Sequence, residues 1–133
     1  MSHAQAGMML DLVLSQDGIH ADLDAKALIN LAEAAEVLGR SEDAARLLAN
    51  IDTTDITATW EGLTQASILL RRDPEIGLNT LAELVAEIRS GDDHPLLAGA
   101  LNLLSQAQAM TDDLDSALET QYESLAIKTS LGS

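Results

Sequence analysis

The stretch ALINLAEAAEVLGRSEDAARLLANI, residues 27–51, decides the fold. Leu28, Leu31, Ala32, Ala35 and Leu38 recur at helical spacing and form one apolar stripe. Gly39 ends that helix, and a tight turn at Gly39-Arg40-Ser41 opens the next. Ser41 is the expected cap of the second helix. Glu42 and Asp43 sit in its first turn, where the helix dipole favours negative charge. Ala44, Ala45, Leu47, Leu48 and Ile51 form its expected buried face. The stretch is a helix hairpin, and the pattern recurs twice downstream.

Before it, residues 4–15 carry Met8, Met9, Leu12 and Val13 on one side, which predicts a leading helix stopped near Gly18. Asp22 or Asp24 caps the helix that follows. After it, residues 52–55 read as a loop with several caps. A helix then runs to Leu70 with Trp60, Leu63, Ala66, Ser67 and Leu70 inward. Asp73-Pro74-Glu75 is a strong helix start: a cap, a proline at the first helical position, then an acid. Leu78, Leu81, Leu84, Val85 and Ile88 carry that helix toward Gly91. Asp92-Asp93-His94-Pro95 repeats the start signal ahead of Leu97, Leu101, Leu104 and Ala107. Asp112 or Asp113 caps a last helix carrying Leu114, Ala117, Leu118, Tyr122, Leu125 and Ile127.

Setting Leu28 against Trp60 and Leu101 aligns Leu31 with Leu63 and Leu104, and Ala44 with Gly77 and Ala117. The step from Leu28 to Trp60 is shorter than the step from Trp60 to Leu101. The distance from each anchor to its small residue changes by no more than one position across the three units. The hairpin is therefore nearly constant and the connections vary. A period of about 34 residues in helix–turn–helix units is that of tetratricopeptide repeats. Leu28, Leu31, Ala32, Gly39 and Ala44 follow the family pattern in order, as do Leu101, Leu104, Ser105, Asp113 and Ala117. Residues 24–131 thus resemble a tetratricopeptide-repeat protein. The closing ALETQYESLAIKTSLG (residues 117–132) resembles the second helix of the kinesin-light-chain-like subgroup. The middle unit departs most, with Gly77 in place of Ala and one residue inserted at the turn. The family tyrosine of the first helix and the proline between units are missing throughout.

The expected fold is all-α. About seven helices in one domain (1–133) comprise a leading helix (1–18) and hairpins at 24–51, 55–90 and 94–131, stacked as a right-handed α-solenoid. No hairpin buries its own stripe, so neighbours must stack.

Composition narrows the function. The 22 acidic and 7 basic residues give a net charge of −15, which repels nucleic acid and anionic membranes and leaves neutral or basic partners. No apolar run approaches the roughly 20 residues of a membrane span. The N-terminus lacks the basic segment of a signal peptide, and cysteine is absent, so a cytoplasmic protein is expected. His3, His20 and His94 make no metal-ligand spacing. Asp112-Asp113-Leu114-Asp115 lacks the glycine and glutamate of a calcium loop. No nucleophile elbow or phosphate loop occurs, so neither an enzyme nor a cofactor is expected.

The resemblance implies a protein–protein interaction scaffold whose first helices line a concave groove. The groove positions it implies are Lys26, Ile29, Glu33 and Glu36 in the first unit and Glu61, Gln65, Ile68 and Leu69 in the second. In the third they are Asn102, Gln106, Ala109 and Met110. Leu118, Tyr122, Leu125 and Ile127 on the last helix are expected to pack on something further, either a second copy in a homodimer or absent sequence. Two other readings stand beside this one: a sensory or regulatory segment of a larger bacterial signalling protein, and a small-ligand-binding helical domain.

Overall fold

The computed structural model describes residues 2–15, 23–49 and 51–132. Among them are seven α-helices and no strand: α1 (His3–Ser15), α2 (Ala25–Val37), α3 (Ser41–Leu48), α4 (Trp60–Arg72), α5 (Pro74–Arg89), α6 (His94–Met110) and α7 (Leu114–Gly132). A short 3-10 turn, Thr53–Asp55, follows α3. The described residues adopt the expected all-α class. No helix of the described residues is long and apolar enough to cross a membrane. The expectations at Met9, Val13, Gly18, His20 and Asp22 lie outside what is described, as side chains or as whole residues.

The chain divides into two compact units, residues 1–56 and 57–133. In the first, α2 packs on α3 and α1 on α2. Leu10, Leu28, Ile29, Leu31, Leu47 and Leu48 are buried. Met8 and Leu12, expected to face inward, are exposed, and among the described side chains of α1 Leu10 is buried. The run MMLDLVL is apolar at nearly every step, so its periodicity does not single out a face. Arg40 Nη2 donates to Asp11 at 2.8 Å and its Nε to Asp43 at 2.6 Å, tying α1 to the α2–α3 turn. These two carboxylates, Asp43 first and then Asp11, hold the Arg40 guanidinium above its ordinary pKa.

In the second unit α4 packs on α5, α5 on α6, and α6 on α7 most extensively of all. Helix α4 also meets α6 directly. Leu63, Leu69, Leu81, Leu84, Leu101 and Leu104 are buried there. Helix α7 contributes little apolar bulk, since only Ala117 and Ser124 are buried on it. Ser124 has no exposure and donates from Oγ to the Ala98 carbonyl at 2.8 Å. Ser105 Oγ lies 2.7 Å from the Gln121 side-chain amide. Small polar residues thus let α6 and α7 approach closely while satisfying their own hydrogen bonds.

The turns explain the spacing of the hairpins. At the end of α2, Gly39 has φ +75°, Arg40 N donates to Ala35 O and Gly39 N to Glu36 O. At the end of α6, Asp112 has φ +65°, Asp113 N donates to Gln108 O and Asp112 N to Ala109 O. Both are Schellman C-caps. The offset from Gly39 to Asp112 is the same as that from Leu28 to Leu101 and from Ala44 to Ala117. The residue equivalent to Gly39 is therefore Asp112, not Asp113. Ser41, expected as a cap, is instead the first residue of α3. Arg40 holds the cap position without a side-chain capping bond to the helix, and Ser41 Oγ donates to Glu36 at 3.3 Å. Asp24, Asp73, Asp93 and Asp113 do accept from the first-turn amides of α2, α5, α6 and α7.

The middle hairpin is built differently. Only Asp73 separates α4 from α5, and it closes both: its N–H donates to Leu69 O at 2.7 Å, and its carboxylate accepts from Glu75 N and Ile76 N. The expected inserted residue is absent, and the turn is shorter than in the outer hairpins. This brings Gly77 against the Leu70 backbone, where a Cβ would stand 2.8 Å from Leu70 N. Trp60 does not hold the anchor position assigned to it, since it is 57% exposed. The buried residues Gly62, Leu63, Ala66 and Leu69 instead match Leu28, Ile29, Ala32 and Ala35, pair by pair at one constant offset.

Candidate functional site: the groove between the fourth and sixth helices

Thr59 fixes where α4 begins, its Oγ1 accepting from Gly62 N at 3.1 Å. That places Trp60 at the first helical position, where it is largely exposed. The indole lies over α6 at Gly99, where an added Cβ would come within 2.8 Å of the ring. One wall of a groove of about 490 Å³ is Trp60, Ser67, Ile68 and Arg71 from α4, and the facing wall is Gly99 and Asn102 from α6. Thr64, also lining it, spends its hydroxyl hydrogen on the Trp60 carbonyl at 3.0 Å. The volume lies in the range of small-molecule and peptide pockets. The lining combines an aromatic platform, aliphatic side chains, a carboxamide, a hydroxyl and a guanidinium. Such a set can hold an apolar side chain and hydrogen-bond a neighbouring peptide group.

The expected groove residues divide. Ile68 and Asn102 line this groove, and both are half-buried. Gln65 is half-buried and Glu61 and Gln106 are exposed, but none of them lines it. In the first unit Lys26 is exposed, and Glu33 and Glu36 are half-buried, with Glu36 engaged by Ser41. Ile29 and Leu69 have no exposure, so neither offers a side chain to a partner. On α2 the buried set takes in Ala25 and Ile29 beside the expected stripe, and on α4 it takes in Gly62 and Leu69 while Trp60 and Ser67 are not buried. Ala109 and Met110 are exposed at the end of α6. The sequence reading missed Trp60, Arg71 and Gly99 as surface residues. The signal available was the lone tryptophan directly after a Thr cap, facing the small run Ala98-Gly99-Ala100.

The last helix separates the four residues grouped on it. At about 100° per residue, Leu114, Leu118, Tyr122 and Leu125 fall within roughly an 80° arc. All four are exposed, between 57% and 71%. Ile127 lies on the opposite side and is half-buried. There it lines a shallow hollow of about 350 Å³ with His94, Glu123 and Leu131. Beside it, Arg89 at the end of α5 makes a bidentate pair with Glu123, its Nη2 donating at 3.1 Å. The Glu123 carboxylate raises the Arg89 pKa above its ordinary value.

Among the described residues no three His, Cys, Asp or Glu side chains stand close enough to hold a metal. Comparison with models of known protein families, with curated proteins and with solved structures finds no match to this chain.

Proposed function

We propose that the chain is a non-catalytic protein-interaction scaffold. In this reading its helix hairpins form a tetratricopeptide-like α-solenoid, and the α4–α6 groove takes an extended peptide. Two regularities support the hairpin-repeat reading. Buried positions of α2 recur in α4 at one constant offset, the period of about 34 residues that tetratricopeptide units have. The same Schellman turn recurs at Gly39 and Asp112. The observation that carries the binding reading is Trp60. It is the chain's single tryptophan, largely exposed, and seated over a glycine at the head of a groove. A large aromatic surface left uncovered beside polar hydrogen-bonding groups is typical of recognition sites. The net charge of −15 favours a neutral or basic peptide. The cysteine-free composition is in keeping with work in a reducing compartment such as the cytoplasm.

Trp60 also provides the test. Peptides selected from a random library on the full chain should shift Trp60 emission on titration. They should lose about tenfold or more in affinity on Asn102→Ala combined with Ile68→Ala. Selected peptides that leave the emission unchanged and bind the double variant equally well would exclude the groove. The groove volume also keeps the small-ligand reading in view. Saturable emission changes with small molecules but with no peptide would favour it.

A further inference from the structure

The outer face of α7 presents Leu114, Leu118, Tyr122 and Leu125 in one line, turned well away from its buried Ala117 and Ser124. This is unlike an ordinary surface helix, whose outer face is polar. The two flanks of the line differ. On one side lie the exposed acids Asp115 and Glu119; on the other lie Gln121 and Lys128. The geometry points to this face as the docking site for an amphipathic helix of another protein. Apolar anchors of that helix would cover the line, and Lys or Arg beside them would meet Asp115 and Glu119. The inference rests on reading the chain as an interaction scaffold, and it names the partner of a second face, apart from the Trp60 groove.

Charge selects this occupant over a second copy of the chain. Two α7 helices paired antiparallel would set the Asp115–Glu119 flank against its own equivalent, acid on acid. Paired in parallel, the acidic flank would face the flank of Gln121 and Lys128. Lys128, however, stands more than two helical turns beyond Glu119 and finds no acid at its own level. Two chains of net charge −15 also repel at long range. A helix carrying apolar residues at spacings of four, four and three, basic where it meets Asp115 and Glu119, avoids both the acid-on-acid contact and the long-range repulsion. Apolar helix faces docked against such a line are a recurring mode of peptide recognition.

The test uses the full chain and two synthetic fluorescein-labelled helical peptides. They share a leucine line at those spacings, with Lys on the flanks of one and Glu on the flanks of the other. Fluorescence anisotropy should show the Lys peptide binding at least tenfold more tightly than the Glu peptide. Leu118→Gln with Leu125→Gln, both exposed and replaced by a good helix former, should weaken it tenfold or more while circular dichroism stays unchanged. Glu119→Lys should weaken the Lys peptide several-fold and strengthen the Glu peptide. Trp60 emission should not move in these titrations, so loss of this site is distinguishable from loss of the groove. Equal binding of the two peptides, or no effect of the leucine substitutions, would overturn the inference. So would sedimentation of the chain as a dimer that those substitutions convert to monomer, because a second copy would then occupy the face.

Discussion

Gly77 shows how one residue carries the geometry of a hairpin. In an open helix, Gly→Ala stabilises by roughly 0.5–1 kcal/mol. Here a Cβ would meet the Leu70 backbone, which cannot swing aside as a side chain would. Gly77→Ala should therefore destabilise, at an overpacking cost of about 1–3 kcal/mol, read as a lower midpoint in urea. A neutral or stabilising result would mean that α4 and α5 separate more easily than a one-residue link suggests. The two Schellman turns make a paired prediction. Gly39 suits its positive φ, whereas Asp112 bears the strain of a non-glycine residue there. Gly39→Ala should cost about 1 kcal/mol. Asp112→Gly should stabilise by a few tenths of a kcal/mol or more, because glycine is the favoured residue at this cap. Thermal melts of both variants measure the contrast.

At the scale of the element, caps and starts are the legible part of the sequence. Asp73-Pro74 and Asp93-His94-Pro95 each open a helix where they say they do, because a carboxylate cap and a proline at the first or second position act through adjacent backbone alone. Faces are less legible. Trp60 reads as inward because it is large, but Thr59 starts α4 immediately before it. The packing face of α4 then falls on Gly62, Leu63 and Ala66. On α7 the close α6–α7 approach takes small residues, Ala117 and Ser124, and leaves Leu118, Tyr122 and Leu125 outside. Size marks a buried position only where the partner helix leaves room. Of the candidate groove, Asn102 is legible from repeat register, whereas Ile68 follows from the Trp60 anchor, which the structure displaces. In the observed register Lys26 corresponds to Trp60 and Gly99, but their contact depends on how α4 meets α6. Gly99→Ala tests that contact. Its methyl would enter the space of the indole ring, so the indole must lift. Trp60 emission should shift to longer wavelength and quench more readily with iodide, with little change in the far-ultraviolet spectrum. An unchanged emission would place the indole away from α6.

Over the whole molecule the charge balance decides the response to solution conditions. With 22 acids and 7 basic residues, most carboxylates have no cation to pair with, so long-range repulsion outweighs the few surface pairs. Raising ionic strength from about 0.01 M to about 0.15 M shortens the screening length from about 30 Å to about 8 Å. It should therefore stabilise the fold, on the order of 1 kcal/mol or about 3–5 °C in Tm. The pairs at Arg40 and Arg89 pull the other way, since screening weakens them. A fall in Tm with salt would mean that these pairs dominate. Acid separates the two contributions further. Mild acidification protonates carboxylates that mainly repel one another, which relieves repulsion. Asp52 opposes this: the Thr54 hydroxyl and amide hold its pKa below the ordinary carboxylate value. A depressed folded pKa gives stability that is present above the unfolded value of about 3.9 and is lost as pH falls through the lower folded value. Asp52→Asn removes that carboxylate at every pH. The difference in Tm between the natural chain and this variant should therefore be largest near neutrality and shrink below about pH 4. A difference that stays constant across that window would show that Asp52 acts through its shape at the 3-10 turn and not through its charge.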